Sequence, residues 1–242
     1  MMAQKLVNII TSPKKTFAEM QFNPSWLLPF ALIVMFTYVL NFMVYRVIVT
    51  NSNFDQIARA KIMWDAVEAR RSTTPREIDQ GVDALRAQRD RWYFIPILGV
   101  AVSTLGIATL FYLILRLLRA GISFRKVFSV VCWSFVVYRV IGGALTSIAL
   151  WVRGPRRFNP APPEAWSPTS LAHLVARESV SPNVYSAISK LDAFLIWFLV
   201  LLVLGFSTTA KNLSLRRAAI VVVVCETLYL VMNALGALPG AS

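Results

Sequence analysis

Charge is scarce in this 242-residue chain: Asp, Glu, Lys and Arg make up 15% of it, against roughly 25% in an ordinary soluble domain. Acid is scarcer than base, with 12 Asp and Glu against 25 Lys and Arg, and there is one histidine and two cysteines. No GxxxxGKS phosphate loop, HExxH helix or GxSxG elbow occurs, and His173 has no nearby Cys or His, so nucleotide, zinc and nucleophilic sites lack support. The expectation is a non-enzyme with no cofactor and no metal. Cys132 and Cys225 both fall in apolar runs, where they pack as small apolar groups rather than build a disulfide framework.

Apolar residues are abundant, at 57%. Five runs reach the roughly 20 residues that a helix needs to cross a bilayer core about 30 Å thick: 26–49, 92–118, 127–151, 191–207 and 218–238. Their continuous apolarity argues against a transmembrane barrel, whose strands alternate lumen-facing and lipid-facing residues. The expected fold class is therefore an all-α integral membrane protein: a bundle of five transmembrane helices, with N-terminal interfacial helices and an extracytoplasmic helical hairpin. Pro13, Lys14, Lys15, Glu19 and Asn23 separate the start from the first run, unlike a cleaved signal peptide, so that run is expected to be retained. The division is 1–25 as a cytoplasmic interfacial segment, 26–238 as one transmembrane domain with extracytoplasmic connections 50–91 and 152–190, and a short extracytoplasmic tail, 239–242.

Orientation follows from Lys and Arg in short loops. One side holds Lys5, Lys14 and Lys15, then Arg116, Arg119, Arg125 and Lys126, then Lys211, Arg216 and Arg217, with Glu19 as its one acid. The other side holds the long first connection, where basic and acidic residues alternate, the long third connection, and an uncharged LPGAS end. This predicts a multi-pass protein with a cytoplasmic N terminus and an extracytoplasmic C terminus. The net charge of +13 is then directed at anionic lipid headgroups through Lys14, Lys15, Arg119, Arg125, Lys126, Lys211, Arg216 and Arg217, rather than at nucleic acid.

Four ionisable residues lie within or at the mouths of the runs. Arg139 and Glu226 fall near mid-membrane by counting along each run, and Arg46 and Asp192 near the outer ends. Depth pairs Arg139 with Glu226 and Arg46 with Asp192, either to lock helices together or, for the deeper pair, to relay an ion or proton.

In the first connection, Thr74, Pro75 and Glu77 spell a capping box with proline at the first helical position. Ile78, Val82, Leu85 and Trp92 form one apolar stripe after it, and Phe54, Ile57, Trp64 and Val67 form another before it, which predicts an antiparallel helical hairpin. Pro96 is placed to kink the second run near its start. The third connection opens with RGPRRFNPAPPEAWSP, too proline-rich for regular structure, with Phe158 and Trp166 as interfacial anchors. Ser167–Pro168 and Ser181–Pro182 read as N-caps followed by proline, the second helix running on through Asp192. At the start, Pro13 splits the chain into two short helices whose Phe17, Met20 and Phe22 face the bilayer.

SPKKTFAEMQFNPSWLLPF, GISFRKVFSVVCWSF and DAFLIWFLVLLVLGFSTTAKNLSLRRAA together resemble the Yip family, named for interaction with Ypt and Rab GTPases. The resemblance covers nearly the whole chain. Its strongest parts are Ser-Pro-x-x-x-Phe at 12–17, Trp26, and Asp-x-Phe-x-x-Trp at 192–197 running on to Gly205. It implies five spans with a cytoplasmic N terminus. Eukaryotic members carry a longer cytosolic N-terminal region used in trafficking contacts, whereas only 25 residues precede Trp26 here, which points to a bacterial-type member in the inner membrane. Bacterial members resemble accessory subunits, some associated with ABC-type export permeases.

The functional expectation is a non-enzymatic scaffold or accessory subunit of a membrane transport or export complex, bound to another membrane protein such as an ABC-type permease, or to itself. The alternatives are a small-solute or ion transporter using Arg139 and Glu226, and a membrane-shaping or trafficking protein acting through the basic face. GVAVSTLG and GGALTSIA carry small residues that permit close helix contacts, though neither is a strict GxxxG.

Overall fold

A computed structural model describes residues 2–48, 54–69, 71–88, 95–153, 167–176 and 179–234. Among them every regular element is helical: α1 (Met2–Thr11), α2 (Pro13–Phe22), α3 (Leu27–Ile48), α4 (Phe54–Glu68), α5 (Pro75–Gln88), α6 (Ile95–Leu117), α7 (Phe124–Phe135), a π-helical segment (Val136–Gly142), α8 (Gly143–Arg153), a 3-10 turn (Leu171–Leu174), α9 (Pro182–Ser189), α10 (Ala193–Thr209) and α11 (Leu215–Ala234). Each of the five apolar runs is helical over most of its described length. By length and apolarity, Leu98–Leu117 and Phe124–Ala149 qualify to cross a membrane, and α9 with α10 makes a third if the broken pair is one crossing. Leu27–Leu40 is apolar but shorter, and α11 carries Arg216, Arg217 and Glu226 among its apolar residues. Phe158, Trp166, Trp92 and the LPGAS end lie outside the described residues.

The chain forms two compact units. The first comprises Met1–Thr37, Leu98–Gly142 and Ala193–Leu228. Its centre is α7, whose residues Val127–Phe135 are all buried, packed with α10 and α2. Trp133 is fully buried and its indole N–H donates to the Ser25 carbonyl at 2.9 Å, which satisfies the polar end of an otherwise apolar ring. Phe17 and Met20 of α2 are 0% and 1% exposed, so they face the protein core and not the bilayer, correcting the sequence expectation; Phe22, at 88%, does face outward. The reason is at Gly205 on α10. A β-carbon there would lie 2.4 Å from Val130 Cγ1 and 3.1 Å from Phe17 Cε1, so the missing side chain is the space that the Phe17 ring occupies.

The second unit comprises Tyr38–Ile97, Gly143–Asp192 and Tyr229–Ser242. Helices α4 and α5 form the expected hairpin. The Thr74 amide donates to Glu77 Oε2 at 2.7 Å, and the Glu77 amide donates back to Thr74 Oγ1 at 3.3 Å, completing the capping box. Ala58 and Val82 are buried together, with Ile62, Ile78 and Leu85 packed on them, and Arg59 pairs with Asp79. The inward stripe of α4 is thus Ala58, Ile62 and Ala66, while Val67 is 64% exposed. Of the other residues of the expected stripe, Trp64 is half-buried and the side chains of Phe54 and Ile57 lie outside the described residues; Gly81, whose β-carbon would meet Ile62 Cδ1 at 2.7 Å, shows that the helices approach closely where Ala58 and Ile62 face α5.

Two expectations for the third connection fail. Ser167 caps no α-helix; instead Ser170 accepts from the Ala172 amide at 3.2 Å and starts the 3-10 turn. Ser181 does cap α9, accepting from the Val184 amide at 3.4 Å, but α9 ends at Ser189 and does not run through Asp192. Carbonyls at this break find partners in the preceding turn: Ser170 Oγ donates to the Ser189 carbonyl at 2.8 Å and the Leu171 amide to the Leu191 carbonyl at 2.9 Å. The break is hydrogen-bonded into the fold rather than left open.

Candidate functional site

The first unit carries two charged features. One is a basic ledge. Helix α6 ends in a Schellman motif, with the Ala120 amide donating to the Leu115 carbonyl at 2.9 Å and the Arg119 amide to the Arg116 carbonyl at 3.0 Å. The left-handed position that glycine usually fills is held by Arg119, φ 54°, a costly backbone for a residue with a β-carbon. The Asn212 amide then donates to the Ala120 carbonyl at 3.2 Å, which ties the α6–α7 connection to the α10–α11 connection.

Arg119, Arg125 and Lys126 therefore share one end of the unit with Lys211, Arg216 and Arg217; all are exposed except the half-buried Lys126. Lys14 and Lys15 are exposed on α2, the helix seated against α10 through Phe17. Arg125 and Lys126 occupy the first turn of α7, and Arg216 and Arg217 the first turn of α11, where no acid stands. Cations at a helix N terminus oppose its dipole, costing about 0.3–1 kcal/mol each at an exposed site. An anion placed on the ledge is attracted both to these cations and to the helix N termini, which offsets that cost.

The other feature centres on Arg139 in the π-helical segment. Its guanidinium lies 5.8 Å from the Phe135 ring and 5.5 Å from the Tyr138 ring, within the reach of cation–π attraction. Phe135 stacks on Phe198 of α10 at 4.6 Å, and Tyr138 meets the same ring at 5.8 Å. Arg139 is exposed, and a cation–π contact at an exposed site contributes about 0.5–1 kcal/mol.

Arg139 is central when counted along its own helix, yet a β-carbon at Gly142 would lie 3.0 Å from Phe194 Cγ, so in register with α10 it lies beside that helix's first two turns. Glu226 is half-buried on α11. In the second unit, Asp192 is buried at the break before α10. Arg46 lies in α3 with its side chain outside the described residues.

His173 is exposed in the 3-10 turn, with Nε2 2.9 Å from the Ser167 carbonyl. Among the described residues no group of three His, Cys, Asp or Glu side chains lies close enough to hold a metal ion.

Sequence reasoning missed the Phe17–Gly205–Val130 contact, the π-helical segment and the backbone of Arg119. A signal for the first was present, since Phe17 ends the Ser-Pro-x-x-x-Phe motif and Gly205 closes the run that begins at Asp192. Phe194 of that same run packs on Gly142. Compared with known proteins, residues 7–235 match the model of the Yip1 domain. Among curated proteins and among solved structures nothing matches the chain.

Proposed function

Since the chain belongs to the Yip1 domain family, we propose that it is a non-enzymatic scaffold or accessory subunit of a membrane transport or export complex. It crosses the bilayer five times, through α3, α6, the α7–α8 helix, α10 and α11. At 1.5 Å per residue the shortest of these, α10, with 17 residues, spans about 26 Å, close to the hydrocarbon thickness once its ends reach the interfaces. The basic ledge faces the cytoplasm, in line with the bias of short-loop Lys and Arg, and holds anionic headgroups. The N terminus is then cytoplasmic, the C terminus and the α4–α5 hairpin are extracytoplasmic, and the membrane is the bacterial inner membrane.

The observation that carries the scaffold reading is the hairpin. Its core is closed by Ala58, Ile62, Ile78, Val82 and Leu85, yet Met63 and Val67 of α4 stay exposed. A self-contained hairpin with apolar residues left outward has a docking face and supports contact with a partner's extramembrane part. The test is crosslinking in native membranes followed by purification, with the unmodified chain beside a Met63→Lys/Val67→Lys variant. A membrane permease recovered in fixed ratio with the unmodified chain and lost from the variant is the expected result. Recovery of the chain alone, with solute flux from the pure protein in liposomes, overturns it.

A further inference from the structure

We infer that the basic ledge binds one lipid whose two phosphates are joined by a short glycerol bridge, a diphosphatidylglycerol. Four cations stand between residues 116 and 126 and three between 211 and 217, with no acid in either stretch. Two contacts hold these stretches together. The Asn212 amide donates to the Ala120 carbonyl at 3.2 Å, and a β-carbon at Gly121 would lie 3.3 Å from Lys211 Cβ. Gly121 has φ 65°, a backbone that glycine takes without strain, so the loops meet where no side chain intervenes. Ala120 is fully buried, and Ala210 and Leu213 of the other loop are buried too. Core packing therefore sets the spacing of the two cationic loops before any ligand arrives.

That spacing selects between lipids. Separate phospholipids each bring one phosphate on two acyl chains, and chain bulk and like charge keep neighbouring phosphates apart. A glycerol bridge holds two phosphates three carbons apart in spite of their repulsion. Loops in contact, both cationic and neither carrying an acid, present a density of positive charge that bridged phosphates match. Once one loop holds the first phosphate, the second reaches the other loop as an intramolecular step. Outward leucines select a lipid over a soluble anion. Leu117 and Leu118, 84% and 50% exposed, precede Arg119, and Leu215, 50% exposed, precedes Arg216. Leu113 and Ile220 continue the exposed apolar surface along α6 and α11. Acyl chains cover such surface beside a bound headgroup, whereas a soluble diphosphate leaves it bare. The inference rests on the reading that the ledge holds anionic headgroups.

The experiment titrates the full chain, purified in a nonionic detergent, with diphosphatidylglycerol, phosphatidylglycerol, phosphatidic acid or phosphatidylcholine, and counts bound lipid by native mass spectrometry. Diphosphatidylglycerol is expected to bind about a hundredfold more tightly than phosphatidylglycerol, the low end of what joining two weak contacts returns. Phosphatidic acid puts nearly two charges on one phosphate and should stay close to phosphatidylglycerol. Lys211→Gln/Arg216→Gln/Arg217→Gln should bring diphosphatidylglycerol down to the same level. Gly121→Ala changes no charge but sets a β-carbon against Lys211, so it should narrow the preference without weakening phosphatidylglycerol. Equal affinity of diphosphatidylglycerol and phosphatidic acid for the unmodified chain overturns the inference, because charge and not the bridge is then recognised, and that comparison needs no variant to fold. A preference that survives loss of the 211–217 cations overturns it too, since the loops would not act jointly. So does competition by the soluble deacylated headgroup at the lipid's own affinity, which assigns the ledge to soluble anions. Failure of every anionic lipid to exceed phosphatidylcholine removes the headgroup reading itself, whereas phosphatidylglycerol binding without a preference removes this inference alone.

Discussion

At the scale of single residues, the centre of the first unit turns on Gly205. Its absent β-carbon would stand 2.4 Å from Val130 Cγ1, and Val130 is fully buried and stiff at its branched carbon, so it has nowhere to move. Gly205→Ala should lower thermal stability in detergent by about 1–3 kcal/mol, the range for overpacking, and Val130→Ala in the same chain should recover part of the loss. Gly106→Ala serves as the control, because nothing lies within 4 Å of its β-carbon position; equal stability of the two single variants would refute the wedge. The sequence named Phe17 and Gly205 as members of related motifs, but not that they touch. An apolar stripe on a ten-residue helix looks the same whether lipid or protein covers it. Only the notch at Gly205 decides, and a notch belongs to the packing of three helices at once.

At the scale of elements, the helices under the apolar runs were legible because continuous apolarity and their length leave few other structures. The hairpin's start was legible for a different reason. Thr74 and Glu77 close two backbone hydrogen bonds reciprocally, a local device that needs no tertiary knowledge. The hydrogen bonds from the Thr74 amide and hydroxyl hold the Glu77 carboxyl below its ordinary value. A depressed carboxylate contributes stability that is fully present above its unfolded-state value and is lost as pH falls through the folded one. Protection of the first-turn amides of α5 against hydrogen exchange, corrected for intrinsic rates, should therefore fall on acidification below the ordinary carboxylate range. Glu77→Gln can keep the box without titrating, so it should flatten that dependence, while Thr74→Ala should lower protection at every pH. A Glu77→Gln profile that still falls with acid would show that another group controls the turn. The π-helical segment was illegible by contrast, since 135, 139 and 142 fit a regular face and the apolar run passes through without a break.

At the scale of the whole molecule, sidedness rests on charge that is spread through the sequence but gathered by the fold. Lys and Arg of the α6–α7 and α10–α11 connections are ninety residues apart, yet one hydrogen bond, Asn212 to Ala120, sets their loops side by side. Arg119 keeps a left-handed backbone at the same place, where glycine would sit at less cost. Four cations stand in the first turns of two helices whose dipoles they oppose. The four first-turn cations do not stabilise the chain in isolation, and an anionic surface offsets their repulsion from the two helix dipoles. Single cysteines at Lys211 and at Asp83, introduced with Cys132 and Cys225 replaced by serine, should react oppositely with a membrane-impermeant maleimide in spheroplasts. The hairpin position should label in intact spheroplasts, and the ledge position only after permeabilisation. Addition of phosphatidylglycerol to liposomes carrying the purified protein should then slow the labelling at 211 and leave that at 83 unchanged, because only the ledge presents a one-signed field to a headgroup. Labelling of both positions from the same side would remove the five-crossing topology, since an odd number of crossings separates the connection after α10 from the one after α3.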